Sequence, residues 1–288
     1  MMSSQFSPVT SQRSTASEPV LQRLAACVEY DGSSFHGWQR LKSGLPTVQA
    51  AVEQALGKVA DHPVHVVCAG RTDAGVHGSG QIIHFDSSAR RSERGWAFGT
   101  NTHLPDTVAL RWVKPVPDSF HARFSAESRR YRYIIYNHAI RPAHLHRGLT
   151  WNHSPLDVSL MQTAANFMVG EHDFTSLRAV QCQAKNPVRT VHHLSVQRFG
   201  ALIILDIQAN AFLHHMVRNV AGVLMAIGAG KRAASWVPDV LAKRDRRAAG
   251  VTAPPWGLYF VKANYPAFFD VPEESIGPAF IAPLTGPP

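Results

Sequence analysis

The stretch Cys68-Ala69-Gly70-Arg71-Thr72-Asp73-Ala74-Gly75-Val76-His77-Gly78-Ser79-Gly80-Gln81-Ile82-Ile83-His84-Phe85 sets one acid between two glycines, with an arginine two residues upstream. The apolar run His65-Val66-Val67-Cys68 reads as a strand entering this loop, and Gln81-Ile82-Ile83-His84-Phe85 as a strand leaving it. Asp73 is therefore expected at a strand end. Gly70 and Gly75 admit backbone angles and close approaches that a β-carbon forbids, so a bulky ligand can come near the chain on both sides of Asp73. Arg71 supplies a cation able to hold the carboxylate ionised or to grip a phosphate with its two-pronged guanidinium. Taken alone, Thr-Asp-Ala-Gly is also the composition of an ordinary turn in which the acid bonds neighbouring amides.

Outward from this loop the hydrophobic spacing alternates between the strand and helix periods. Residues 23–30 read as a strand, and residues 47–60 as a helix with Val48, Ala51, Val52, Leu56 and Val59 on one face. Residues 66–69, 81–85 and 130–137 supply further strands, interrupted by the charged segment Ala89-Arg90-Arg91-Ser92-Glu93-Arg94-Gly95. A connector over 138–154 leads to a helix over 156–169, then to strands over 190–198 and 201–209 joined as a hairpin at Phe199-Gly200. Helices over 211–229 and 236–248 and a strand over 257–261 complete the pattern. The element order predicts two similar α/β lobes, residues 22–138 and 139–265. A Ser- and Thr-rich tail, 1–21, and a Pro- and Gly-rich tail, 266–288, are expected outside the core.

Lys and Arg number 29 against 20 Asp and Glu, a formal charge of +9, and the sequence pI is about 9.8. Such a surplus favours a polyanionic partner bound more weakly as salt rises. Cys27, Cys68 and Cys182 are isolated and odd in number, which suits neither a disulfide framework nor a zinc motif and points to a reducing cytoplasm. The first twenty residues lack the apolar core of a secretory signal. No run approaches the roughly 20 apolar residues of a membrane helix.

The central stretch does not stand alone. Tyr30-Asp31-Gly32-Ser33-Ser34-Phe35-His36-Gly37-Trp38-Gln39-Arg40 and Thr47-Val48-Gln49 precede it. Phe120-His121-Ala122-Arg123-Phe124, Arg129-Arg130-Tyr131-Arg132-Tyr133, Gly170-Glu171-His172-Asp173-Phe174 and Asn210-Ala211-Phe212-Leu213-His214-His215-Met216-Val217-Arg218-Asn219 follow it. In this order the blocks resemble the tRNA pseudouridine synthase A (TruA) family over about residues 22–265. The resemblance implies an α/β (α+β) pseudouridine synthase fold, with two lobes sharing a mixed, mainly antiparallel central sheet and a basic cleft between them. It also implies a homodimer that binds tRNA across both subunits and isomerises uridines at positions thirty-eight to forty of the anticodon stem-loop.

The same resemblance makes Asp73 the essential catalytic acid and places Tyr131, Arg71 and Arg218 against the substrate. It assigns lesser tRNA contacts to Arg90, Arg91, to Phe120, His121, Ala122, Arg123 and Phe124, and to Gln181, Cys182, Gln183, Ala184 and Lys185. The chain departs from the usual wording at Arg40-Leu41-Lys42, at Ala139 and at Pro254-Pro255-Trp256, all outside the catalytic block.

Turning uridine into pseudouridine breaks the ribose bond to N1, rotates the uracil and remakes the bond through C5, with no change of formula or oxidation state. No cofactor is chemically required. The step needs a carboxylate beside the glycosidic carbon or C6, adding covalently or acting electrostatically while the base is detached.

Strand alternation puts Tyr131, Tyr133 and Ile135 on one face and Arg130 and Arg132 on the other. The aromatic face is able to stack a base flipped out of an RNA stem, although tyrosines are also plain strand formers. In the helix expected from 211, His214 and Arg218 share a face apart from the apolar stripe. Arg218 takes the active-site role by resemblance, while His214 receives none.

Sixteen histidines invite a metal reading. No His-Glu-x-x-His is present, and the adjacent pairs His192-His193 and His214-His215 would point to opposite faces of a strand, so no metal is expected. Two other classes stay open from the residues: a non-catalytic RNA-binding protein, and a metal-dependent RNA hydrolase.

Overall fold

Ten strands build one sheet in the computed structural model, which describes residues 20–273 and 277–285. They are β1 (Gln22–Tyr30), β2 (Val67–Cys68), β3 (His77–Ser87), β4 (Val108–Pro115), β5 (Ser128–Asn137), β6 (Thr150–Asn152), β7 (Gly170–Asp173), β8 (Val188–Phe199), β9 (Leu202–Ala209) and β10 (Leu258–Asn264). The order across the sheet is β4-β1-β3-β10-β5-β9-β8-β7, with β2 added to β3 and β6 to β5. Only β3 with β10 and β5 with β6 run parallel; every other pair is antiparallel. The expected α/β class with a mixed, mainly antiparallel sheet is what the chain adopts.

The helices are α1 (Val48–Ala60), α2 (Glu93–Asn101), α3 (Val158–Asn166), α4 (Met216–Gly228), α5 (Trp236–Lys243) and the short α6 (Ala282–Thr285). Alternation along β1 divides its side chains between two apolar layers. Leu24, Ala26, Val28 and Tyr30 pack with Val52 and Leu56 of α1 and Trp96 of α2. Ala25 and Cys27 belong to the larger layer, which also holds Tyr131, Tyr133 and Ile135 of β5 beneath Val217, Val220 and Leu224 of α4.

Arg130 and Arg132 take the opposite face of β5, as the alternation predicts, and converge on Asp206 of β9 at 2.6 and 2.8 Å. Both charges are largely buried, so the shared carboxylate offsets a desolvation cost that neither guanidinium could bear alone.

Local signals account for much of α1. The Thr47 hydroxyl accepts from the amide of Ala50, closing the helix start. Buried Glu53 accepts from the amide of Val66 at 3.0 Å and pairs with Arg40, tying α1 to the segment that enters β2.

The structure differs from the sequence reading in several places. The charged segment around 89–95 runs into α2, where Ser92 caps the first turn and Trp96 is buried; its three arginines masked an amphipathic helix. Strands β4, β6 and β7 were not anticipated. Strand β5, expected to close the first half, pairs with β9 over eight residues, and β10 is its other neighbour. Past Pro266, the chain does not stay outside the core: Phe269 packs on Phe120 at 5.1 Å, and Ile281 is buried beside Ile134 and Tyr259. Two apolar anchors outweigh the Pro and Gly content there. The N-terminal tail falls, up to residue 19, outside the described residues.

Candidate active site

Strand β3 begins at His77, four residues earlier than the apolar run suggests, so Asp73 lies in a tight loop between β2 and β3. The loop is braced from several sides. The amide of Trp38 donates to the Thr72 carbonyl at 3.0 Å, and the Thr72 hydroxyl bonds the buried phenol of Tyr30 at 2.9 Å. The Gln81 side chain bonds both the amide and the carbonyl of Gly70. His77, almost fully buried, accepts from the amide of Gly32 through Nδ1 and reaches the carbonyls of Arg147 and Trp256 through Nε2. These contacts fix Asp73 on a rigid frame, as a reacting group requires.

The two glycines beside Asp73 serve protein packing. A β-carbon at Gly70 would sit 2.9 Å from the ring of Phe260 and 3.5 Å from the Tyr131 hydroxyl. One at Gly75, whose φ is +78°, would sit 3.0 Å from Pro255. The approach expected of a ligand on both sides is thus taken up by Phe260, Tyr131 and Pro255.

Around the carboxylate stand three basic side chains. Arg218 Nη1 lies 3.3 Å from Asp73 Oδ2, His214 Nε2 3.3 Å from Oδ1, and His215 Nε2 3.4 Å from Oδ2. Arg218 is aimed by its own anchor: Nε donates to the Ala253 carbonyl at 2.9 Å, while the Ala253 amide donates to the Arg218 carbonyl at 3.1 Å. Burial lowers the pKa of His215, with His214 and Arg218 pushing the same way against the pull of Asp73. Neutral imidazole is the favoured form there.

The helix expected from 211 begins only at Met216. His215, immediately before it, takes the left-handed conformation at φ 62°. That turn, not a strand or a helix face, brings both imidazoles to the same carboxylate. The argument that adjacent histidines must diverge therefore fails for this pair. His214 and His215 are the site residues that sequence reasoning missed; the available signal was a His-His pair one turn ahead of Arg218.

Tyr131 comes to the site as expected, held edge-on between Phe212 and Phe260 at centroid distances of 4.9 and 5.1 Å. It is buried, and burial raises its phenol pKa, with Tyr30 and the charge of Asp73 adding to the effect. The hydroxyl stays protonated as a donor. Tyr133 and Ile135 are fully buried core residues, so the stacking face anticipated for all three is absent.

Arg71 is exposed, and among the described residues it makes no salt bridge with Asp73. Arg218, not Arg71, is the arginine paired with the carboxylate.

The expected RNA-contact segments divide by burial. Phe120 and Ala122 are core residues, which corrects their assignment as surface contacts. His121 stacks on the exposed Phe124 at 4.3 Å and accepts from the amides of Arg123 and Phe124. The Arg129 guanidinium donates to the carbonyls of both Ala69 and Arg123, so this exposed corner adjoins the Asp73 loop. Gln181, Gln183 and Lys185 are exposed while Cys182 and Ala184 pack on the core. That stretch reaches the site through the Ala179 amide, which donates to the His214 carbonyl at 2.8 Å. Arg90 and Arg91 are exposed beyond the end of β3.

A family model described as tRNA pseudouridine synthase matches residues 26–125 and 164–266. The chain belongs to this family. It is 57% identical over 264 residues to tRNA pseudouridine synthase A of Pseudomonas aeruginosa, covering 92% of this chain and 93% of that one. It is 56% identical over 261 residues to the protein of that name from Alcanivorax borkumensis, covering 91% and 98%. The Citrobacter koseri protein is 52% identical over 269 residues, covering 93% and 99%. Among solved structures, an archaeal box H/ACA sRNP Nop10-Cbf5 complex aligns with 70% of this chain and 43% of its own, at TM-score 0.32 and 9% identity. Membership in the tRNA pseudouridine synthase A family makes the chain an enzyme of the isomerase class. Both segments that the family model matches supply the site: Asp73 comes from the first, and Tyr131 from the interval between them, while His214, His215 and Arg218 come from the second.

Proposed function

We propose that this synthase isomerises uridine to pseudouridine at positions thirty-eight to forty of the tRNA anticodon stem-loop, with Asp73 as the essential carboxylate. The observation that carries the reading is the convergence of Arg218 and Tyr131 on Asp73, in a chain whose close relatives bear the name tRNA pseudouridine synthase A. Arg218, pinned through Ala253, orients the carboxylate. The Asp73 carboxylate attacks the ribose at the glycosidic carbon or the base at C6, or stabilises the detached fragments; N1 releases the sugar, C5 takes it, and the C5 proton departs as N1 gains one. The protonated Tyr131 hydroxyl is available as a donor beside the reacting base.

The exposed cations Arg71 and Arg123 suit phosphates, which position an RNA without reading its sequence. The net charge of +9 supports the same polyanionic partner. A homodimer that carries the tRNA across both subunits, acting in the cytoplasm without cofactor, completes the reading. No helix among the described residues is long and apolar enough to cross a membrane.

The test is pseudouridine mapping on an unmodified tRNA transcript, with wild type and Asp73→Asn, in EDTA and with tRNA binding measured alongside. New pseudouridine in the anticodon arm from wild type alone, while the variant still binds, is the expected result. No conversion by a folded, tRNA-binding wild type across several tRNAs refutes the activity and leaves an RNA-binding protein.

A further inference from the structure

We infer that Asp73, His214 and His215 form a binding site for a borderline-soft divalent metal ion, zinc foremost, and that the bound ion takes the carboxylate out of service. One carboxylate oxygen and two imidazole nitrogens, one from each residue, all lie within 4.8 Å of one another. The histidine nitrogens stand 3.3 and 3.4 Å from the Asp73 oxygens. Ligands held about 2.0–2.1 Å from a tetrahedral zinc ion are separated by roughly 3.3–3.4 Å. The His214 nitrogen and Oδ1 stand at that separation, and the His215 nitrogen lies in the same cluster, 3.4 Å from Oδ2.

The rest of the geometry fits the same ligand. His215 holds a left-handed backbone, an arrangement costly for a residue with a β-carbon, and this turn aims two consecutive imidazoles at one point. The two rings lie 4.0 Å apart, tilted by 44°, so their nitrogens converge without stacking face to face. Arg218 occupies Oδ2, which leaves Oδ1 to the ion and gives the carboxylate the kind of outer hydrogen bond that orients a metal ligand. The side chains of His214 and His215 are 39% and 27% exposed, so an ion reaches them from solvent and keeps a position open to water or a phosphate oxygen. Two imidazoles and one carboxylate favour zinc, cobalt, nickel or copper over magnesium, which prefers oxygen ligands throughout.

The inhibitory consequence rests on the role proposed for Asp73; the binding itself does not. The experiment uses the untagged full chain, with Co2+ as a spectroscopic probe and Zn2+ as competitor. Wild type is expected to take up a single Co2+ with the visible absorption of a low-symmetry nitrogen-and-oxygen site, and to lose it to Zn2+. His214→Ala and His215→Ala, each checked for unchanged circular dichroism, are expected to bind at least about tenfold more weakly. His193→Ala, on exposed β8, is expected to bind as wild type does.

In parallel, Zn2+ is expected to suppress pseudouridine formation by wild type, EDTA to restore it, and Mg2+ to leave it untouched. A wild type that gives no Co2+ spectrum, or histidine variants that bind unchanged, overturns the site. Site-specific binding combined with full turnover in Zn2+ overturns the inhibition. Because the Co2+ spectrum is read without tRNA, a failure of the proposed isomerase activity would be seen separately.

Discussion

Gly37 is the most direct handle on how the frame holds Asp73. Its φ is +91°, and a β-carbon placed there would lie 2.8 Å from the Thr72 carbonyl oxygen and 3.2 Å from backbone atoms of Asp73 and Ala74. Neither side can retreat freely, since Trp38 already bonds the Thr72 carbonyl and the Gly37 carbonyl accepts from Val48 at the start of α1. A side chain at positive φ costs about 1–2 kcal/mol, and a forced contact in a packed region about 1–3 kcal/mol more. Gly37→Ala should therefore lose about 2–5 kcal/mol, which at about 2–4 °C per kcal/mol lowers Tm by roughly 4–20 °C.

The same push moves the loop that carries Asp73, and a misplacement on the order of 1 Å can cost about 100-fold in rate. Gly44→Ala is the control. Gly44 also has positive φ, +76°, but a β-carbon there meets nothing within 4 Å, so only the strain of about 1–2 kcal/mol applies and the rate should hold. Thermal melts and single-turnover pseudouridine formation at saturating enzyme read the two effects apart. Were Gly37→Ala to melt with Gly44→Ala and convert tRNA at the wild-type rate, the claim that the Gly37 turn wedges the catalytic loop would be refuted.

Three further outcomes are expected. Asp206→Asn removes the carboxylate shared by Arg130 and Arg132 and should cost about 3–5 kcal/mol in urea unfolding; a loss below about 1 kcal/mol would contradict that role. Burial, with His121 and Arg23 nearby, lowers the pKa of His84 from the ordinary 6.5 to about 4. The unfolded chain thus takes a proton at a higher pH than the folded one, so the contribution of His84 is full above pH 6.5 and declines as pH falls towards 4. The loss across that window is about 3 kcal/mol, and His84→Asn should flatten the urea midpoint there; an unchanged slope would rule the group out. Phe124 is 76% exposed, so Phe124→Ala should leave Tm unaltered while weakening tRNA binding by the roughly 1–3 kcal/mol of one base stack; equal affinity in filter binding would remove it from the interface.

The parts of the fold legible in the sequence were those set by short-range spacing. Strand β1, helix α1 with its Thr47 cap, the β8–β9 hairpin and the apolar stripe of α4 all follow from residues a few positions apart. Helix α2 was hidden because the arginines that precede Trp96 dominate its local composition. The start of α4 was misplaced because Phe212 and Leu213 continue the apolar spacing while the backbone turns at His215. Asp73, Tyr131 and Arg218, grouped beforehand by the resemblance, lie together in the structure, whereas Arg71 and Arg218 could not be ranked as partners of the acid, since two arginines look alike until their distances are known.

Read along the chain alone, the residues settle the charge balance, the periodicity of most elements and a glycine-flanked loop around one acid. They do so because turns, caps and amphipathic faces depend on neighbours along the chain. Only the tertiary structure decided that β10 enters between β3 and β5 and that Arg218, 145 positions away, meets Asp73. It also decided that two consecutive histidines face one carboxylate. Those arrangements arise from burying both faces of one sheet and from backbone angles that satisfy distant partners, and neither constraint is written in local spacing.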